Sequence, residues 1–183
     1  MARMQAIDPA AVAPEHRDLL ARPIALHRTL VNSPGALRAF GGLGHYIRHG
    51  STLDPRLREL AILQVGYLAR APYEWSHHIK IGHDFGVTDD EIRALIAETE
   101  GRTSALDPLA RAVLAAAREI TSTGTLADAG WNALATRMSR EHLVDLTVTI
   151  AFYCAVVRVL ATLQIEVEPD YMVYLDRFPL PAR

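Results

Sequence analysis

Along this chain of 183 residues, a short polar residue directly precedes a proline at three places that divide its apolar segments. They are Ser33-Pro34, Asp54-Pro55 and Asp107-Pro108. Serine and aspartate accept hydrogen bonds from the free N–H groups at a helix start, and proline suits the first helical position, where no N–H partner is needed. Thr88 and Glu91 form a fourth start signal, a capping box. These signals predict a chain of successive helices.

The apolar pattern supports this prediction, because no segment shows a sustained two-residue alternation bounded by turns. Half of the residues are hydrophobic, which is enough for one core and too few for two at this length. We therefore expect an all-α, single-domain bundle over residues 1–183 with about six to eight helices, and an extended tail after Glu168 that lies against the body or a neighbouring subunit. The expected helices lie near residues 15–21, 34–48, 55–69, 73–85, 89–99, 108–122, 127–137 and 140–164.

Charge and apolar patterning exclude several function classes. The formal net charge is −2 and no basic run occurs, so a nucleic acid is not the expected partner. Residues 146–157, the longest apolar stretch, reach about half of the roughly 20 residues that a bilayer span needs. No signal-peptide core is present near the start, so we expect a cytoplasmic protein without a membrane partner. Cys154 is the single cysteine, and its apolar neighbours predict a buried thiol.

Glu59 is the unusual residue of the helix predicted over residues 55–69. Its neighbours three, four and seven positions later are apolar or small, so its carboxylate is expected to face buried surface. A buried carboxylate is costly unless it is paired, and burial raises its pKa toward the range useful for proton transfer. Two interpretations stay open, a proton-transfer group or a structural ion pair with Arg56, Arg58 or an arginine of a partner.

Glu74 and His78 lie four residues apart on the next predicted helix and share one face. A carboxylate beside an imidazole orients the ring and raises its pKa, which suits a general acid or base. A short turn at residues 70–72 would bring this pair near Glu59. The alternatives are a solvated ion pair or a metal site; we expect no metal, because His77 points about 100° away from His78 on a helix.

Two further groups allow two interpretations each. His45 and Tyr46 end the helix before this segment, where they either complement the helix dipole or close a pocket. Tyr153 and Arg158 lie on the long apolar helix, where they either pack in a core or interface or line the pocket.

The segments 53–62, 73–78 and 85–92 resemble the core of the carboxymuconolactone decarboxylase family, within a superfamily that includes alkylhydroperoxidase D. The resemblance covers the motif core 53–92. It implies the all-α, alkylhydroperoxidase D-like fold, assembly as a homo-oligomer (trimer or hexamer), and a pocket near a subunit interface. The classical lactone decarboxylase favours an acidic substrate bound by basic residues. Arg56, Arg58, Arg70 and Arg158 are candidates for that role here, but no motif places them, so the resemblance does not carry over the identity of the substrate.

The same resemblance fixes where redox cysteines would stand. The peroxidase branch carries Cys-x-x-Cys with a histidine four residues after the second cysteine and a glutamate twelve residues before the first. In this register Glu59 is the relay glutamate, while Ala71 and Glu74 occupy the two cysteine positions. A dithiol peroxidase needs both thiols, so this chemistry is not expected here.

The resemblance and the Glu/His pair together predict a cofactor-independent acid/base enzyme of the lyase type, acting on a small organic acid, lactone or carbonyl compound. The alternatives are an alkylhydroperoxidase-like antioxidant and a non-catalytic oligomeric binder of small molecules. No cofactor is expected. The predicted catalytic residues are Glu74, His78 and Glu59, and the predicted substrate-binding residues are Tyr73, Trp75 and Arg58.

Overall fold

The computed structural model of the protein describes residues 2–182, and all of the regular structure in this range is helical. Nine α-helices lie in it, together with short 3-10 helices at Pro9–Ala11, Pro14–Leu20 and Pro169–Tyr171 and a π-helical turn at Tyr46–Gly50. The α-helices are α1 (Ala25–Leu30), α2 (Pro34–His45), α3 (Pro55–Leu68), α4 (Pro72–Asp84), α5 (Asp89–Thr99), α6 (Pro108–Thr123), α7 (Asp128–Ala135), α8 (Arg140–Leu163) and α9 (Met172–Arg177).

Most of the predicted start signals act as caps. The Asp54 carboxylate accepts a hydrogen bond from the N–H of Arg56, and Asp107 caps α6 in the same way. Thr88 and Glu91 form the reciprocal capping box of α5. Ser33 makes no such side-chain bond, so the start of α2 rests on the proline alone.

Three expectations about the helices are wrong. The helix count exceeds six to eight, because α1 and α9 are six-residue helices without a side-chain cap at their start. The segment expected as a helix at residues 15–21 is a 3-10 helix. The tail is not extended: it forms a 3-10 turn and α9, which packs on α4. In each case tertiary packing, which no local signal reports, holds the short helix.

Helix α3 lies at the centre and packs against α4, α6 and α8. Every residue from Leu57 to Tyr67 is buried. Arg70 adopts a left-handed conformation (φ 49°) in the turn that brings α4 back onto α3. A Cβ at Gly66 would lie 3.4 Å from the backbone nitrogen of Trp75, so glycine lets the two helices pack closely here.

Helix α8 contributes one buried face to this core, with Leu146, Ile150 and Tyr153 among its members. It is the single helix of residues 2–182 whose length and apolar composition would allow a membrane span, a test that core helices of soluble proteins also pass. One face of the helix packs against α3, and 39% of its most apolar stretch is buried.

Candidate active site

The ionisable residues of α3 and α4 meet in one buried group. His78 Nδ1 lies 2.6 Å from Glu59 Oε2, and His78 Nε2 lies 2.9 Å from Glu74 Oε1. The three residues are each less than 5% exposed. The imidazole is therefore held between two carboxylates, one at each ring nitrogen.

The charges of this group stabilise one another. Burial disfavours the charged imidazole, but the Glu74 and Glu59 carboxylates outweigh it and raise the pKa of His78 to about 9. Burial likewise opposes ionisation of Glu59, yet His78 and Arg58 lower the pKa of this carboxyl below its usual value. At neutral pH an imidazolium thus faces an ionised Glu59.

Arg58 completes the group from the side away from the cavity. Its Nε lies 3.0 Å from Glu59 Oε1, and its guanidinium lies over the Phe85 ring, 4.7 Å from the centroid. Its Nη1 donates to the carbonyl of Arg48 at 3.3 Å. The structural ion pair expected for Glu59 is therefore present with Arg58, while its other carboxylate oxygen contacts His78, so a role in proton transfer stays a prediction.

A cavity of about 450 Å³ adjoins Glu74 and His78, between the N-terminal segment, α2, α4 and α8. This volume suits a small organic molecule. Glu74 Oε1 is buried and has no hydrogen bond of good geometry, although His78 Nε2 is near. The cavity thus has an available carboxylate beside an imidazolium, which is an arrangement for proton transfer. Glu59 lies behind His78 and does not line the cavity.

Arg22, Arg48 and Tyr153 also line the cavity, and the sequence patterns do not mark the two arginines as site residues. Neither guanidinium has an acidic partner within residues 2–182. The sequence allows two roles for Tyr153, packing in the core or lining the pocket. In the structure Tyr153 is buried and also lines the cavity. No local motif marks the two arginines, since the chain fold alone brings them to α4.

The four arginines named as candidates for an acidic substrate do not line the cavity. Arg56 is bound by Glu91 and Asp107 on another face, and Arg58 is paired with Glu59. Arg158 donates to the carbonyl of its own helix at Cys154, and Arg70 lies in the turn before α4.

The residues predicted to bind substrate divide into two groups. Tyr73 lines the cavity, but its hydroxyl donates to Glu168 at 3.1 Å and accepts from the N–H of Leu26 at 3.2 Å. Trp75 and Arg58 do not line it, so their predicted role in substrate binding has no support from this cavity. Trp75 is fully buried, and its Nε1 donates to the carbonyl of Phe178 at 2.7 Å.

Two neighbouring histidines lie at the cavity, whereas the side chain of Tyr46 is bound elsewhere. His45 lines the cavity, whereas the Tyr46 hydroxyl donates to Asp145 Oδ1 at 2.9 Å. His77 also lines the cavity, and its ring is stacked between Tyr73 and Tyr171. Among the described residues, no group of three or more His, Cys, Asp and Glu side chains is arranged to hold a metal ion.

No sulfur lies at the redox positions, which are occupied by Ala71 and Glu74. Cys154 is half-buried rather than buried as expected, and its Sγ lies 3.6 Å from Thr121 Oγ1. It does not line the cavity. The site therefore combines the glutamate and histidine of a proton relay with no thiol.

Solved structures with the same fold include two described as peroxidase-related. A protein from Ralstonia eutropha JMP134, described as an alkylhydroperoxidase AhpD core, is 19% identical with a TM-score of 0.76, covering 95% of each chain. An uncharacterized protein from Silicibacter sp. TM1040 is 16% identical with a TM-score of 0.73, covering 92% of this chain and 94% of that one.

The debrominase Bmp8, in a complex with 2,3,4-tribromopyrrole, is 23% identical with a TM-score of 0.71. The match covers 81% of this chain and 79% of that one. At these identities the likeness concerns the fold alone.

The model of the Carboxymuconolactone decarboxylase family matches residues 34–119, which include α2 to α5 and most of α6. No curated protein matches the chain. The matched range contains Glu59, Glu74 and His78. Residues 34–119 thus resemble the carboxymuconolactone decarboxylase family, and the chain shares the fold of the structure described as an alkylhydroperoxidase AhpD core, with Ala71 and Glu74 where the resemblance places a cysteine pair.

Proposed function

We propose that the protein is a cofactor-independent acid/base enzyme of the lyase type, which moves a proton at a carbon next to a carbonyl group. Its substrate would be a small organic acid, lactone or related carbonyl compound. The observation that carries this proposal is the Glu74 carboxylate, which lines the cavity with Oε1 buried, lacking a well-aligned hydrogen bond and 2.9 Å from His78 Nε2.

Each residue of the group has a separate role in this proposal. Glu74 is the base, because an ionised carboxylate without a good hydrogen-bond donor can accept a proton from carbon. His78 is the acid that returns a proton, since Glu74 and Glu59 overcome the effect of burial and raise its pKa to about 9. Glu59 is a positioning residue, since it holds Nδ1 and does not reach the cavity.

The charges around the cavity support a substrate with a carboxylate. Arg22 and Arg48 line it without acidic partners in the described part of the chain, whereas Arg38 is already paired with Asp18. A carboxylate bound by one or both free guanidinium groups would gain charge-assisted hydrogen bonds. A volume of about 450 Å³ limits the ligand to a small molecule.

Proton exchange in D₂O tests the proposal even when the reaction product has not been identified. Purified protein is incubated with a panel of small keto acids, carboxylated lactones and ketones, and ¹H NMR follows loss of signal at the acidic C–H. We expect exchange for at least one compound. Glu74→Gln and His78→Gln should each slow it by about 10²–10⁴-fold, because each removes a proton-transfer group.

Lys80→Gln is the matched control, because Lys80 lies on the same helix, is exposed and pairs with Asp84. Its exchange rate should equal that of the wild type. Absence of exchange with every compound would support the non-catalytic binder instead. Hydroperoxide turnover that survives Cys154→Ala would support the antioxidant alternative.

A further inference from the structure

Tyr153 is a buried polar side chain that the proposed proton transfer does not use. It extends from α8, is 5% exposed and lines the cavity. Its ring meets His78 edge-on, with centroids 4.9 Å apart and an interplanar angle of 82°. Within residues 2–182 no acceptor takes the hydrogen of its hydroxyl, which leaves this donor for a bound molecule.

Arg48 lines the same cavity as Tyr153, and its charge lowers the pKa of the Tyr153 hydroxyl against the effect of burial. It belongs to the π-helical turn Tyr46–Gly50, a type of turn that often occurs at functional sites. The buried Asp145 carboxylate fixes both ends of the turn, since it accepts from the Tyr46 hydroxyl at 2.9 Å and from the Ser51 hydroxyl at 2.5 Å. The carbonyl of Arg48 is held in turn by Arg58.

We propose that the Tyr153 O–H and the Arg48 guanidinium form an oxyanion site opposite Glu74, and this inference rests on the proposed function. When Glu74 takes the proton, the C–H bond breaks and an O–H bond forms on the carboxylate. The bonding electrons form a carbon–carbon double bond, and the carbonyl electrons move onto its oxygen. Tyr153 and Arg48 donate to that oxygen; return of the proton from Glu74 or His78 to carbon restores the carbonyl.

The electrostatics agree with a donor role. Burial, together with the Glu74 and Glu59 carboxylates, raises the pKa of the Tyr153 hydroxyl well above its usual value, while Arg48 opposes the rise. Tyr153 therefore keeps its proton at neutral pH and can donate it in a hydrogen bond. The Arg48 guanidinium, which also lines the cavity, adds positive charge where the oxyanion forms.

Binding of 4-nitrophenol tests the oxyanion site directly, because its phenolate resembles an enolate and its absorbance distinguishes phenol from phenolate. We expect the wild type to bind the phenolate form. Tyr153→Phe and Arg48→Gln should each weaken phenolate binding by about 10-fold to 100-fold, as expected for loss of a hydrogen bond to a charged group. Tyr67→Phe is the matched control, since Tyr67 is buried against Trp75 outside the cavity.

Two further measurements complete the test: the kinetics of the exchange reaction and the thermal unfolding of the variants. In the exchange assay Tyr153→Phe should lower kcat by about 10²–10³-fold with little change in KM. Its thermal unfolding should match that of Tyr67→Phe. Absence of bound phenolate in the wild type, or equal phenolate affinity in Tyr153→Phe and Tyr67→Phe, would overturn the oxyanion site. Phenolate binding that depends on Tyr153, without exchange of any compound, would uphold the anion site and refute the proton-transfer function.

Discussion

At the scale of single residues, His78 links the chemistry of the site to folding. Its usual pKa of 6.5 rises to about 9 in the folded protein, despite burial, because Glu74 and Glu59 stabilise its charge. A group with a raised pKa in the folded state contributes its stability fully below its unfolded pKa, and this contribution is lost as pH rises through the folded value. The ion group therefore stabilises the fold least at alkaline pH.

The first prediction concerns this pH dependence. The free energy of unfolding in urea should decrease between pH 6.5 and pH 9, by an amount on the order of 3 kcal/mol, since one pKa unit corresponds to about 1.4 kcal/mol. His78→Gln should be less stable at pH 6.5 and should lack this decrease. His83→Gln, on the same helix but partly exposed, should keep it. An identical slope in His78→Gln and the wild type would contradict the prediction.

The sequence predicts that some residues of the site lie close together, but it does not predict this for others. Glu59, Glu74 and His78 lie on two adjacent helices joined by a short turn, so helical spacing and the resemblance to the family bring them together. Tyr153 lies far from them along the chain and Arg48 lies in the π-helical turn before α3, so the positions of both depend on how α8 and that turn pack. Spacing within one segment carries no information on such contacts.

At the scale of elements, the π-helical turn Tyr46–Gly50 brings Arg48 and His49 to the wall of the cavity. The sequence predicts a helix to residue 48, but α2 ends at His45 and the turn changes the direction of Arg48. Its anchor is Asp145, which lies almost a hundred residues later on α8. Helix starts with a local cap could be predicted, whereas an element fixed by a distant carboxylate could not.

The second prediction is that Asp145 stabilises this turn. Asp145→Ala leaves the Tyr46 and Ser51 hydroxyls without their acceptor and should lower the free energy of unfolding by about 1–3 kcal/mol. It should also weaken 4-nitrophenolate binding, because Arg48 is no longer held. A double-mutant cycle with Tyr46→Phe, measured by urea unfolding, should show coupling of about 1 kcal/mol. Asp84→Ala, which removes an exposed carboxylate, is the control; additive effects of Asp145→Ala and Tyr46→Phe would contradict the prediction.

At the scale of the whole molecule, the C-terminal tail is fastened to the body beside the cavity. Glu168 Oε2 lies 2.8 Å from His77 Nε2, and Glu168 Oε1 accepts from the N–H of Ala25 at 2.7 Å. Farther along, Phe178 is 2% exposed and its carbonyl receives the Trp75 indole N–H. Aromatic and proline residues indicated that the tail contacts the body, but its helical form depends on these distant partners.

The third prediction follows from the ionisation of these tail contacts. Burial lowers the pKa of His77 below 6.5, and Glu168 has its pKa lowered from 4.5 to about 2, because contacts to His77 and the Ala25 N–H outweigh its burial. Both lowered values mean that stability is present at neutral pH and is lost as pH falls, first below 6.5 through His77 and then below 4.5 through Glu168. The tail should therefore detach in acid before the core unfolds.

Amide hydrogen exchange at a series of pH values measures this order of events. We expect residues 169–178 to lose protection, and Trp75 emission to shift to longer wavelength, at a pH where the amides of α3 remain protected. Glu168→Gln removes one of the two titrating groups, so it should show weaker tail protection at pH 7 and a smaller further loss below pH 4.5. Tail and α3 amides that lose protection together, in both proteins, would show that the tail is not a separate unit. Separate loss would mean that Tyr73 and His77, which the tail covers, become accessible at the cavity wall only in acid.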